Sequence, residues 1–188
     1  MKKILFIVGS LRKDSFNMSL AKKVNELIAG RMETEYMTPT GIPLLNQDEE
    51  YPAPDNISVM RERVALADAL WIFTPEYNHA IPGGLKNLLD WISRPVIPND
   101  YTTPVAKGKK VVISGVGGIR KTVGAREQLK DLLSFMGLEL IGDSGTGYAV
   151  QKDSFKTGIW DIDNETIDKI NIQIDEILGK FVDNQPFL

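Results

Sequence analysis

Cysteine is absent from the 188 residues. Disulfides, thiolate nucleophiles and cysteine-held metals are therefore excluded, and with them the small phosphatases that attack through a cysteine in their phosphate loop. Histidine occurs once, at His79. Excess positive charge is also missing: 22 Lys and Arg against 25 Asp and Glu give a net charge of -3. No basic field is available to hold a polyanion such as nucleic acid, and the small cluster at Lys107, Lys109 and Lys110 reads as a solvated turn ahead of a strand. No stretch approaches the roughly 20 apolar residues that span a bilayer. The opening run Ile4–Val8 is too short for a signal-peptide core, so the expected location is cytoplasmic, with no membrane partner. Two common nucleotide motifs are lacking as well. No G-x-G-x-x-G follows the first strand, and the nearest match, Gly115 to Arg120, has arginine in place of the third glycine. No G-x-x-x-x-G-K-[ST] occurs.

What is present is an ordinary globular composition, 43% apolar and 25% charged. Residues 1–188 are read as a single domain, long enough to bury roughly 70% of the surface its unfolded chain exposes. Short apolar runs alternate with longer amphipathic ones. Strands are expected at Ile4–Val8, Thr34–Met37 (weaker), 69–74 and Val111–Gly115, with a fifth beginning at Leu138–Ile141. Between them, Leu20, Val24, Leu27 and Ile28, then Ile57 to Ala67, then Leu85, Leu88, Leu89 and Ile92, then Leu129, Leu132, Leu133 and Met136 fall at helical spacing. The tail, Ile167, Ile170, Ile174, Ile177 and Phe181, reads as a helix with Asp163 as its N-cap. Strand–helix alternation of this kind implies an α/β three-layer sandwich, a parallel sheet covered on both faces. Pro43 to Asn56, rich in Pro, Asn and acids, is expected to be a surface loop. Ligands of open α/β sheets bind beyond the carboxyl ends of the strands, which directs attention to the loops after strands one, three and four.

The first of these, Gly9 to Asn17, joins a buried strand to a helix N-terminus, where unpaired N–H groups attract an anion. Ser10, Ser15 and Asn17 add neutral donors and Arg12 adds charge. Charged hydrogen bonds contribute about 1.5–3 kcal/mol each, against about 0.3–1 kcal/mol from the helix dipole, so directed donors carry most of any phosphate affinity. The loop after strand three, Thr74 to Asn87, holds Pro75 and Pro82, which fix φ, and Gly83 and Gly84, which permit close backbone approach. A loop of that make-up suits the face and polar edge of a flat heterocycle. The two loops together point to flavin mononucleotide.

The stretches G-S-L-R-K-D-S-F-N and P-E-Y-N-H-A-I-P-G-G-L-K-N-L-L-D-W, with N-Q-D-E-E at 46–50, resemble the signatures of the NADPH-dependent FMN reductase family, which includes chromate, quinone and azo-dye reductases. The resemblance runs from residue 1 to about 145. It implies a flavodoxin-like sheet of order 2-1-3-4-5, bound FMN, and NADPH or NADH as co-substrate. Ser10, Arg12, Ser15 and Asn17 match the family's phosphate positions, with Met18 flanking. Pro75, Glu76, Tyr77 and Asn78 match the loop that holds the isoalloxazine through backbone amides. Ser114, Gly115 and Gly117 fall in the third flavin loop, and Ala80 stands where the family often has serine. The implied activity passes hydride from NAD(P)H through FMN to a small-molecule electron acceptor (quinone, azo, nitro, chromate or free flavin) with ping-pong kinetics and no side-chain nucleophile. Within this reading Glu76 is expected to turn its carboxylate to solvent. His79 either protonates an acceptor oxygen or lies at the loop's rim. Arg120 and Lys121 are an idle surface pair or contacts to a 2′-phosphate, and Lys86, Asp90, Trp91 and Arg94 are packing residues or contacts in a homodimer or homotetramer. The rivals are a flavodoxin-type electron carrier, whose usual acidity and Thr-rich loop this chain lacks, and a non-enzymatic flavin-binding protein.

Overall fold

The computed structural model describes residues 1–181. Its strands are β1 (Lys3–Val8), β2 (Glu33–Met37), β3 (Ala69–Thr74), β4 (Lys110–Gly117) and β5 (Glu139–Ala149). They form one sheet in the order β2-β1-β3-β4-β5, every neighbour parallel, as the alternating pattern and the family resemblance predict. The helices are α1 (Phe16–Ile28), α2 (Asp55–Leu66), α3 (Gly83–Ser93), α4 (Val123–Phe135), the short α5 (Ser154–Thr157) and α6 (Asn164–Gly179). Successive residues of a strand point to opposite faces, so β1 feeds two cores. Ile4, Phe6 and Val8 meet α1 and α6, whereas Leu5 and Ile7 meet the side that α2, α3 and α4 cover. All six residues of β3 are buried, and its Trp71 and Phe73 rings stack at 5.6 Å with Phe6 edge-on to both. Burying each such side chain stabilises the fold by ~1.5–3 kcal/mol. Asp163 caps α6 as expected, its carboxylate accepting from Thr166 N at 2.8 Å.

One expectation is corrected and two are extended. β5 begins where expected and runs on to Ala149, with a break in register between Val112 and Ser114 of β4. The polar, glycine-rich segment 142–145 makes the break. A Cβ at Gly145, whose φ is 69°, would collide with the Ile113 carbonyl, so only glycine lets the strand return to its partner there. The segment Pro43–Asn56 is more than a surface loop. Asn87 of α3 accepts from Leu45 N and donates to the Pro43 carbonyl, both at 2.8 Å, and Glu50 is 2% exposed against Arg94. Lys109 likewise is no idle turn lysine: its ammonium donates to the carbonyls of Ala65 and Ala67 at 2.7 and 2.6 Å, closing the C-terminal end of α2. Burial lowers its pKa, against the opposing charge of Asp68.

Candidate functional site

The ends of β1, β3 and β4 deliver three loops to one cleft of about 310 Å³. From the first loop come Ser10, Arg12, Ser15 and Asn17, joined by Phe16. Ser15 is the N-cap of α1, its hydroxyl accepting from Met18 N at 3.3 Å. The amides of Phe16 and Asn17, first in the helix, have no preceding turn to bond to and remain available to an anion. Ser10 accepts from Arg12 N at 3.3 Å, and the Arg12 guanidinium lies 5.2 Å from the centre of the Phe16 ring. Asn17 is committed across the sheet. Its Nδ2 donates to the Val116 carbonyl at 3.2 Å and its Oδ1 accepts from Val116 N at 3.0 Å, so it ties the first loop to the end of β4.

The second loop brings Pro75, Glu76 and Tyr77 to the cleft. Tyr77 and Ala80 exchange backbone hydrogen bonds at 3.2 and 3.0 Å. The residues between them, Asn78 and His79, have φ of 52° and 61°, as a type I′ turn requires. The turn leaves the Tyr77 ring half-exposed at the rim and His79 exposed. Glu76 departs from expectation. Its carboxylate is 11% exposed, with Oε2 accepting from Ala125 N at 3.0 Å and Oε1 lying 3.4 Å from His79 Nδ1 and 3.9 Å from Arg120 Nε. Arg120 reaches it only at the limit of an ion pair and from an exposed position, as the surface-pair reading expects. Thr122, at the N-cap of α4, makes no capping bond with its own side chain, so a residue from another loop caps the helix in its place. Gln128 adds a second tie, donating to the His79 carbonyl at 3.1 Å and accepting from Ile81 N at 3.2 Å. The first turns of α4 thus hold the β3–α3 loop from behind.

The third loop supplies Val116, Gly117 and Gly118. Thr122 closes it in a left-handed conformation, φ 55°, which a β-branched side chain adopts only under strain. It is 2% exposed, and among the described residues its Oγ1 is the one fully buried side-chain nitrogen or oxygen without a hydrogen-bond partner. A Cβ at Gly115 would collide with that oxygen, and one at Gly117 would lie 3.0 Å from the Thr122 methyl. Gly115 is required for the loop to close, and a side chain at Gly117 would press on the Thr122 methyl. Ser114 lies beneath the cleft, not on its wall. Its hydroxyl accepts from Trp71 Nε1 at 2.9 Å and donates to Gln173 Oε1 at 2.7 Å, while Tyr148 donates to the same Oε1 at 2.9 Å and Gln173 Nε2 donates to the Ile113 carbonyl at 2.9 Å. Burial pushes the Tyr148 hydroxyl pKa up, which keeps it a donor in this network. Arg126, its pKa lowered by burial, donates to the carbonyls of Lys121, Ser144 and Gly145 at 3.2, 3.1 and 2.7 Å and so links α4 to the break in β5.

Of the twelve residues expected at the site, Ser10, Arg12, Ser15, Asn17, Pro75, Glu76, Tyr77 and Gly117 line the cleft. Met18 packs on the core, Asn78 stands at the exposed turn, and Ser114 and Gly115 are buried and do not line the cleft. Phe16, Val116, Gly118 and Phe155 also line the cleft. Phe155, on α5, packs edge-on against Phe16 at 5.5 Å. No feature of the sequence marks it, because the cleft reaches it across the whole chain. The cleft fits FMN by the chemistry of its donors. Hydroxyls, a guanidinium and helix amides gather at one end for a phosphate. Pro75, Tyr77, Val116 and the side-chain-free Gly117 and Gly118 leave room for a flat ring at the other.

The profile of the NADPH-dependent FMN reductase family matches residues 2–148. A 2-hydroxy-1,4-benzoquinone reductase of Burkholderia sp is 37% identical over 141 residues, 74% of each chain. A quinone reductase of Escherichia coli (strain K12) is 38% identical over 140 residues, 71% of this chain and 70% of that one. Among solved structures, FerB of Paracoccus denitrificans, a flavoenzyme NAD(P)H:(acceptor) oxidoreductase, superposes with a TM-score of 0.81 at 28% identity over 96% of this chain and 98% of its own. On the sequence match and on its two signature loops, this chain belongs to the NADPH-dependent FMN reductase family.

Proposed function

We propose that this protein is an FMN-dependent NAD(P)H oxidoreductase whose acceptor is a quinone. The observation that carries the reading is the meeting of an anion cradle at the start of α1 and a rigid proline-bounded loop after β3 in one cleft. The quinone class is favoured by the 37% and 38% identity to proteins that reduce quinones. When bound, the flavin supplies the two-electron chemistry between reduced nicotinamide and acceptor. In this reading Ser10, Arg12, Ser15 and the first amides of α1 hold the phosphate. Pro75, Glu76, Tyr77 and Asn78 present main-chain groups to the ring's polar edge, and Gly117 and Gly118 permit its approach. Ser114 and Gly115 act from below, as the floor of the third loop, and Met18 packs behind the first. Tyr77 flanks the open face, where nicotinamide and quinone bind in turn and proximity contributes much of the rate. His79 sits at the rim as a turn residue.

The same reading has the enzyme cytoplasmic and assembled as a homodimer or homotetramer. Exposed Ile97 and Tyr101, outside the cavity described below, favour self-association, which sedimentation velocity tests directly. The decisive experiment is anaerobic stopped-flow of the FMN-loaded protein with NADPH and NADH separately, followed by a panel of quinone, azo, nitro and chromate acceptors. Rapid bleaching of the flavin and fastest reoxidation by quinones are expected. A protein that binds FMN yet is not reduced by either nucleotide is a carrier or a sensor, and one that binds no FMN overturns the reading.

A further inference from the structure

A cavity of about 490 Å³ opens on the flank of α2 and shares no lining residue with the flavin cleft. At its floor lies Arg61, 5% exposed. Its Nε and Nη2 share a single acceptor, the Trp91 carbonyl, at 3.4 and 3.3 Å, both at the weak end of hydrogen-bond geometry. The carboxylate next to it, Glu50, is engaged elsewhere, taking Arg94 on both oxygens at 2.8 and 3.0 Å. Arg61 Nη1 has no hydrogen bond among the described residues. It is not sealed off either, since the one fully buried unpartnered side-chain nitrogen or oxygen is Thr122 Oγ1. A buried guanidinium with an unmet donor therefore lines the cavity, and its carbon lies 5.7 Å from the centre of the Trp91 ring. Burial lowers the Arg61 pKa, the charge of Glu50 opposing it, which is the state an incoming anion relieves.

Tyr51, Pro52, Val96 and Val105 give apolar surface, and the Tyr51 ring is anchored by its hydroxyl donating to the Pro95 carbonyl at 2.8 Å. Ser58 stands exposed on the α2 side. Glu50 and Glu62 also line the cavity and oppose a second negative charge.

We propose that this cavity is a second ligand site, taking a small monoanionic carboxylate with a flat apolar body, such as an arene carboxylate. The planar fork of Arg61 matches a carboxylate, the walls match the arene, and the two glutamates select a monoanion over a phosphate dianion. The proposal is independent of the flavin reading and is tested on the whole chain, with FMN bound wherever FMN binds.

The probes are 2-naphthoate, its neutral counterpart 2-naphthalenemethanol and 2-naphthyl phosphate, titrated by calorimetry while flavin absorbance is followed in parallel. Naphthoate is expected to bind at least tenfold more tightly than either other probe, with the flavin spectrum unmoved. Ser58→Trp, at an exposed wall position, weakens it at least tenfold without changing FMN affinity, and Arg61→Met abolishes the preference for the acid over the alcohol. Equal affinity for acid and alcohol overturns the proposal. So does binding that survives Ser58→Trp, or binding that perturbs the flavin spectrum in step with occupancy. A cavity closed by self-association, seen as a dimer in sedimentation with no naphthoate uptake, overturns it too.

Discussion

Replacing Glu76 by alanine separates a positioning role from an acid–base one. The carboxylate is 11% exposed and reaches the third amide of α4 at 3.0 Å, a cap donated by a neighbouring loop. Loss of a capping side chain costs about 0.5–2 kcal/mol, and a charge-assisted hydrogen bond left unmet lies at about 1.5–3 kcal/mol. The contacts to His79 and Arg120 are with side chains 66% and 60% exposed and add only about 0–0.5 kcal/mol after screening. A loss of about 1–2 kcal/mol follows, or roughly 2–8 °C in Tm for a domain of this size. The cap also holds the β3–α3 loop against α4, so FMN affinity falls with stability, while the hydride step in the fully loaded enzyme is nearly unchanged. Glu76→Gln, which keeps an acceptor oxygen, recovers about half of both losses. The assays are urea denaturation of the apoprotein, FMN titration, and single-turnover reduction at saturating FMN. The reasoning is refuted if Glu76→Ala keeps parental stability and affinity. It is equally refuted if the hydride step collapses while FMN binding stands.

Asn17→Leu leaves both backbone groups of Val116 unpaired and is expected to cost about 2–4 kcal/mol in urea denaturation; Asn17→Asp fails similarly, since a carboxylate cannot donate to the Val116 carbonyl. His79→Gly relaxes one left-handed residue of the I′ turn and is expected to raise stability by up to about 1 kcal/mol, with quinone turnover within about twofold of the parent. Burial alone would raise the Glu50 pKa, but hydrogen bonding and charge from Arg94 outweigh it and hold the folded value below a carboxylate's ordinary one. The pair's contribution is therefore complete above that value and lost as pH falls through the lower folded one. Arg94→Met is expected to flatten this part of the acid limb in stability–pH curves, and an unchanged limb would contradict the pairing.

The central strands and the place of the cleft were legible because each of those strands is largely an apolar run and each important loop carries proline or glycine, whereas the order of the strands came from the family resemblance. The far half of β5 was not legible. Its inward residues are interrupted by Gly142 to Gly145, so the apolar signal ends at Ile141 although pairing resumes at Thr146. Glu76 looked like a surface acid because its partner, the start of α4, is distant in sequence, and capping from outside the helix leaves no local signature. Lys109 and Arg61 misled or escaped for a related reason. A cation on a carbonyl reads the same in sequence as one in water, and burial is decided by what packs over it. Phe155 joins the cleft only through the tertiary placement of α5.

Gln173 lies outside the matched family region, on α6, yet its amide collects Ser114, Tyr148 and the Ile113 carbonyl at the sheet's interior. The carboxy-terminal helix is thus a keystone and not an appendage. Unwinding it strands three polar groups directly under the third loop. A carboxy-terminal fusion that strains α6 would therefore disturb coenzyme retention before it disturbed the opposite face of the sheet.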